Sequence, residues 1–395
     1  MDSIKKKIEW DKYIMALSPI FLIFYISNET YAIDYRAFYL AGKSVLNNLN
    51  PYLNHISLSS DYYGPINAEL SKFSGWKYPP LASYIFTPLA SLPYEISKNI
   101  FNLISLLSFS SLTFFIIKKR IFHINPFSLI IVGISFPMLS IISRGQVEIL
   151  IVCIALISLY FYKQDKIFLS ASLIAILSFI KVFPLLLSIA FVKSYRKKKF
   201  FFYLIISLLI LYFLNLFLCP LEWRQSFIER ITIPWNQMPI GELRELPNNL
   251  GVIKDSMMVR TSDARNLFHS HFFVFGFANP LLSSNLFLSG VIGTIGAVIC
   301  LFKYSKYSIT LSFFTIMNWI NIVNPISWIM GLFWYVPLFI FSYKKIKPSL
   351  KIIIALPLIL PPFLNISGYL AALISLFIMR FFSKESLNTL LISKK

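Results

Sequence analysis

Asp34 stands near the head of Ile33-Asp34-Tyr35-Arg36-Ala37-Phe38-Tyr39-Leu40-Ala41-Gly42, a stretch that closes at Asn50-Pro51-Tyr52 and is answered by Trp76-Lys77-Tyr78-Pro79-Pro80-Leu81. A carboxylate at the mouth of a short amphipathic helix is suited to proton transfer. Its mundane role is an N-cap, bonding free backbone amides for about 1 kcal/mol. Two further polar islands interrupt apolar runs, Ser143-Arg144-Gly145-Gln146-Val147-Glu148 and Ile180-Lys181-Val182-Phe183-Pro184. Charges at membrane depth are functional candidates by default. The plain alternatives are an Arg144–Glu148 pair bridging one helical turn and a Lys181 that snorkels toward water.

The elements that must position these groups are set by composition. Of 395 residues 57% are hydrophobic and 14% charged, with a mean hydropathy of +0.69. A soluble domain carries about 25% charge, so this chain reads as a polytopic membrane protein. Cys153, Cys219 and Cys300 sit in or beside apolar runs without CxxC spacing, which points to neither a disulfide framework nor a zinc site.

The net charge of +20 is unevenly spread. Segments 1–12, 118–125, 163–166, 193–199, 303–306, 343–351 and 380–395 hold 24 of the 37 Lys and Arg but only 5 of the 17 Asp and Glu. This is the positive-inside pattern; it places those segments and both termini in the cytoplasm and removes the case for a nucleic-acid partner.

In chain order, Tyr13 to Ser27 reads as a first anchor, and residues 28–97 as a large extracytoplasmic loop. In it, Tyr35, Phe38, Gly42, Val45 and Leu49 form a stripe at helical spacing with Arg36, Lys43, Asn47 and Asn48 off it, the pattern of a helix lying in the membrane interface. Leu81 to Leu92 is too short to cross a core that needs ~20 residues, and reads as a second interfacial or re-entrant helix. Spans are expected at 100–117, 126–142 and 149–162, so that the island around Arg144 lies at the outer ends of two helices. The run 167–192 is expected to break into two short helices meeting near Lys181, because a single helix would carry the basic stretch 193–199 to the wrong side. After a span at 200–218, residues 219–280 form a second large extracytoplasmic loop with Trp223, Trp235-Asn236-Gln237, Arg260, Arg265, His269 and His271. Spans follow at 281–301, 307–323 and 329–342, and 352–382 is either a thin hairpin or one kinked span. The whole is a single all-α integral membrane domain, residues 1–395, of ten to twelve transmembrane helices.

No phosphate loop, HExxH, DxD pair or GxSxG elbow occurs, and no repeat relates one half of the spans to the other. Six motifs nevertheless recur in order: 34–42, Asn50-Pro51-Tyr52, Lys77-Tyr78-Pro79-Pro80-Leu81 with Pro88-Leu89-Ala90, Arg144 to Glu148, Ile180 to Pro184, and Asn324-Pro325-Ile326-Ser327-Trp328. Together they resemble glycosyltransferase family 87, polyprenol-phosphate-mannose-dependent mannosyltransferases of the GT-C superfamily, over residues 30 to 345. The first two, with Arg-Gly-Gln-Val-Glu and Lys-Val-Phe-Pro, also resemble the catalytic subunit of the GPI mannosyltransferase.

The resemblance implies a GT-C fold and transfer of a hexose, with inversion, from a polyprenyl-phosphate sugar to a glycolipid or cell-envelope glycan acceptor at the outer face of a bacterial plasma membrane. It needs no metal and no cofactor beyond the lipid-phosphate donor. Asp34 matches the family's proposed base; Arg36, Tyr78, Arg144, Gln146, Glu148, Lys181 and Trp328 are the expected substrate-binding residues. Glu148 stands where Asn is common, and Ile329 follows Trp328 where histidines are frequent. A lipid-linked-sugar flippase and a non-catalytic subunit of a glycan-assembly complex are the readings from other classes.

Overall fold

A computed structural model describes residues 32–53, 76–118, 124–232, 309–323, 329–360 and 367–392, with a few positions between 291 and 299. The expected first anchor, most of the second large loop and Trp328 lie outside the described residues. Among those described, the chain is helical without strands.

α1 is Ile33–Leu46. A broken helical segment follows, made of α2 (Pro80–Ser83), a 3-10 turn Tyr84–Phe86 and α3 (Thr87–Ala90), with prolines opening its pieces. The ladder then resumes with α4 (Tyr94–Lys118), α5 (Pro126–Gly133), α6 (Phe136–Arg144), α7 (Glu148–Lys163) and α8 (Ile167–Ile180). A 3-10 stretch, Phe183–Phe191, leads to α9 (Lys197–Leu218) and α10 (Leu221–Thr232). The C-terminal part holds α11 (Ile309–Val323), a 3-10 stretch Ile329–Tyr335 continuing into α12 (Val336–Tyr343), α13 (Pro348–Ile359) and α14 (Ser367–Ile392).

Local sequence explains the breaks. Pro137 cannot donate to a helix running on from α5, and the Ser135 hydroxyl caps the new start by accepting from Met138 N at 3.4 Å. Asn125 caps α5 in the same way, accepting from Phe127 N at 2.9 Å. Residues 167–192 divide at Lys181, as the charge argument requires, because Pro184 has no N–H to continue α8. The C-terminal run is two helices, α13 and α14, packed on each other.

α8 packs between α7 and α9, and α11 packs against both the 183–191 stretch and α14. The core there is aromatic: Phe191, Phe200, Phe313, Phe314, Phe333, Tyr335 and Phe339 are fully buried. α4 and α9 are long and apolar enough to cross a membrane. Of the most apolar stretch of α9 only 11% is buried, and Phe202, Phe213 and Phe217 point outward. So much exposed apolar surface on one helix fits contact with lipid rather than water.

The polar side of α1 is only partly exposed: Asn47 and Asn48 at its end are exposed and Lys43 is half-buried, while Arg36, Tyr39, Leu40, Ala41 and Ser44 are buried along with the stripe residues Tyr35, Phe38 and Val45. Gly42 is why it can sink in, since a Cβ there would come within 2.7 Å of the Phe86 backbone. α1 thus packs against α3 and the Tyr84–Phe86 turn, with Phe38 stacked on Phe86 at 4.8 Å.

Candidate active site

Asp34 is the second residue of α1, whose N-cap is Ala32; no side chain caps this helix. The capping role is therefore not the one Asp34 plays. Its carboxylate instead takes a two-point ion pair from Arg144, with Nε donating to Oδ2 and Nη2 to Oδ1 at 3.0 Å. This planar fork fixes direction as well as distance. Arg144 is fully buried and Asp34 nearly so, with 13% of its side chain exposed.

Arg144 reaches Asp34 because α6 stops there. Gly145 caps it in the left-handed conformation, φ 67°, and its own missing side chain lets the turn approach Tyr35, whose Cβ would lie 2.5 Å from a Cβ at 145. Both constraints favour glycine, which explains the Arg-Gly order. Tyr35 is held in turn by a hydrogen bond with Ser97 and by ring contact with Phe101 at 4.8 Å.

The expected alternative of an Arg144–Glu148 pair is not what forms. Glu148 opens α7, where a carboxylate favours the helix dipole, and pairs with Lys181 from the end of α8. Glu148 is buried and, among the described residues, its Oε2 has no hydrogen-bond partner, while Lys181 keeps 19% of its side chain exposed. Lys181 is thus an anchored cation with one face toward the outside of the cluster, not a snorkelling one.

Tyr78 joins the two pairs. Its ring centroid lies 6.0 Å from Lys181 Nζ, and it feels the charges of Lys181, Glu148, Asp34 and Arg144 together. Burial pushes its hydroxyl up to about 12, with Lys181 pulling the other way, so it is a neutral donor at physiological pH. The ring is wedged against Trp76 at 4.9 Å and Phe38 at 5.5 Å, and the Tyr52 hydroxyl donates to its carbonyl at 2.5 Å. Asn50 fixes that approach, accepting from Tyr52 N at 3.1 Å and donating to Ser226 Oγ of α10 at 2.9 Å.

The remaining expected ligands fall elsewhere. Arg36 is buried on the side of Tyr94, with which it bonds, so the cation beside Asp34 is Arg144 rather than its sequence neighbour. Gln146 is buried, its Oε1 accepting from Val147 N at 3.3 Å. Among the described residues no group of three or more His, Cys, Asp or Glu is placed to hold a metal ion.

Asp34, Arg144, Glu148, Lys181 and Tyr78 therefore converge from five places in the chain, each at the end of a helix or just before one. The arrangement offers a fixed carboxylate, two cations and a neutral hydroxyl donor within one small region. The profile of glycosyltransferase family 87 matches residues 76–318. The chain belongs to glycosyltransferase family 87. It is accordingly a membrane glycosyltransferase. The matched stretch includes Tyr78, Arg144, Gln146, Glu148 and Lys181, and Asp34 and Trp328 lie outside it. No curated protein and no solved structure matches the chain.

Glu148 supplies a full counter-charge to Lys181. Gly145, Tyr52 and Trp76 help to position the cluster; the quoted motifs contain all three, but the spacing of those motifs assigns them no role, and only the Gly after a helix-ending Arg carries a signal of its own.

Proposed function

We propose that this protein transfers a hexose, mannose in our reading, from a polyprenyl-phosphate donor to a lipid-linked or cell-envelope glycan at the outer face of a bacterial plasma membrane, with inversion. The observation that carries the proposal is the Asp34 carboxylate held by buried Arg144 beside the anchored cation Lys181. A carboxylate has about four lone-pair positions, so one that receives two N–H donors from arginine retains capacity for an acceptor hydroxyl.

In this scheme Asp34 takes the proton from the acceptor hydroxyl as its oxygen attacks C1 of the donor sugar. The attack comes from the face opposite the phosphate, the C1–O bond breaks, and the bonding pair leaves with the phosphate. Lys181 and Arg144 receive the charge that develops there, and Tyr78 donates from the side. A phosphate needs no proton to depart, which is why one carboxylate and a few donors suffice. Displacement in a single step inverts the anomeric centre.

Depth supports a lipid donor. α7 has 16 residues and rises roughly 24 Å, less than the ~30 Å hydrocarbon core. With Lys163 at the cytoplasmic boundary, Glu148 would lie roughly 8 Å inside the opposite edge of that core, a depth that suits a lipid-linked donor better than one confined to water. The GT-C fold, ten to twelve spans and cytoplasmic termini belong to the same proposal.

The test is transfer by purified protein from radiolabelled polyprenyl-phosphate-mannose into a membrane lipid extract. Label should appear in an extractable glycolipid or glycan. Transfer from a nucleotide sugar but not from the lipid donor would overturn the donor class; transfer only from another polyprenyl-phosphate hexose would overturn mannose.

A further inference from the structure

The proposed reaction gives Glu148 no task beyond matching the charge of Lys181, and for that task it is oddly placed. A lysine that receives a phosphate binds it best unopposed, since a carboxylate in contact cancels much of its attraction. Lys181 nevertheless pairs with Glu148 Oε1, and it feels the Asp34 carboxylate as well. Asp34 and Glu148 against Arg144 and Lys181 make this cluster of described residues neutral. Attraction for a phosphate alone does not account for such a site.

The unused atom is Glu148 Oε2. The side chain is only 6% exposed, and among the described residues this oxygen accepts no hydrogen bond, not even from the first turn of α7, which Glu148 itself opens. A buried carboxylate oxygen without a donor is costly, so its surroundings suit a donor that arrives from elsewhere. A phosphate oxygen is excluded, because two anionic oxygens with no proton between them repel. Arg144 is committed to Asp34 through two bonds. What remains is a neutral O–H or N–H brought by a ligand, lying next to the anion that Lys181 receives. Lys181 has the capacity for that anion: an ammonium carries three donors, and one of them goes to Glu148 Oε1.

A glycosyl phosphate carries this pair of groups. Its phosphate hangs from C1 and its nearest hydroxyl from C2, one carbon away. With the phosphate on Lys181 Nζ, the 2-hydroxyl comes beside the carboxylate that Nζ itself touches. We propose that Glu148 Oε2 accepts a hydrogen bond from the 2-hydroxyl of the donor hexose, so that Glu148 is the residue that reads the sugar. This rests on the lipid-phosphate donor proposed above. The counter-charge beside Lys181 then has a purpose: a phosphate without the hydroxyl meets a repulsive oxygen, and the site favours the sugar-loaded carrier over the bare one. Mannose and glucose differ only in the direction of the 2-hydroxyl, axial or equatorial, so one fixed oxygen can tell them apart.

The experiment is equilibrium binding of radiolabelled polyprenyl-phosphate-mannose to the full-length protein in nanodiscs, competed with the unlabelled lipid, its 2-deoxy analogue and polyprenyl-phosphate-glucose. Wild type should bind the 2-deoxy lipid roughly ten- to hundredfold more weakly than the mannosyl lipid, the worth of a hydrogen bond to a charged acceptor. Glu148→Gln keeps the shape and drops the charge, and should narrow that gap by about five- to tenfold. A residue that only balances Lys181 would shift both lipids by the same factor and leave their ratio unchanged. Equal affinity of wild type for the mannosyl and 2-deoxy lipids would overturn the contact, leave the donor class standing, and do so without any variant that must fold. The full gap persisting in Glu148→Gln would overturn it too, by giving the hydroxyl to another residue. Tighter binding of the glucosyl lipid, with the preference lost in Glu148→Gln, would uphold the contact and overturn mannose. Binding of none of these lipids by wild type would overturn the donor class and this inference with it.

Discussion

The two ends of α7 carry the same kinds of side chain under opposite conditions. At the Glu148 end the charges are buried and matched one to one, Asp34 with Arg144 and Glu148 with Lys181. At the Lys163 end Lys163, Lys193 and Lys197 to Lys199 are exposed and in excess. Burial decides the difference. A charge taken out of water must have a partner of opposite sign, whereas a charge left at a membrane surface needs none. The excess of one sign fits the positive-inside pattern, and the buried, charge-matched cluster is what marks the candidate site.

The sharpest way to break this comparison is to unpair the buried end. Arg144→Met should cost about 3–5 kcal/mol of stability in chemical denaturation, because it leaves the Asp34 carboxylate buried without its cation. Adding Asp34→Asn should recover much of that loss. At the other end Lys163→Gln should stay within about 0.5 kcal/mol. Equal effects at the two ends would mean that burial does not separate them.

Lys181→Met probes the less buried pair. If Lys181 meets the donor phosphate, donor affinity should fall roughly ten- to hundredfold, the worth of about 1.5–3 kcal/mol for a charge-assisted bond, measured by equilibrium binding of polyprenyl-phosphate-mannose. Unchanged affinity would leave Lys181 as a partner for Glu148 and nothing more.

Tyr78→Phe is the mildest test. The folded protein holds the Tyr78 proton to about pH 12, while an unfolded chain releases it near 10. The unfolded state thus binds fewer protons between those values, and stability must decline with rising pH there. The phenylalanine variant should show a shallower decline from pH 10 to 12 in thermal melts.

Much of the fold was legible in the sequence for concrete reasons. Pro184 and the basic run at 193–199 divide the 167–192 segment as expected, whereas the span expected over 126–142 is in fact two helices, parted where Pro137 follows Ser135. How far α1 is buried was not legible, because its stripe suits an interface as well as a core; the close approach at Gly42, where an added Cβ would come within 2.7 Å of the Phe86 backbone, shows only in the structure. Site members were legible singly, as charges at the ends of apolar runs. Their pairing was not. Sequence proximity offered Arg36 for Asp34 and Arg144 for Glu148, but the partners lie 110 and 33 residues off. Such separations are settled by how α6, α7 and α8 stack, which no local pattern encodes.

The central claim is that Asp34 is the base and not merely the counter-charge of Arg144. Asp34→Asn keeps the shape and a hydrogen bond to Arg144 but accepts no proton, so the measurement is single-turnover transfer at a temperature below the variant's own melting point, with Asp34→Glu alongside. The account predicts that the Asn protein binds donor and transfers at least about a hundredfold more slowly, within the 10² to 10⁴ expected for a lost base, while Glu retains part of the rate. Transfer by folded Asp34→Asn within a few-fold of wild type would contradict it.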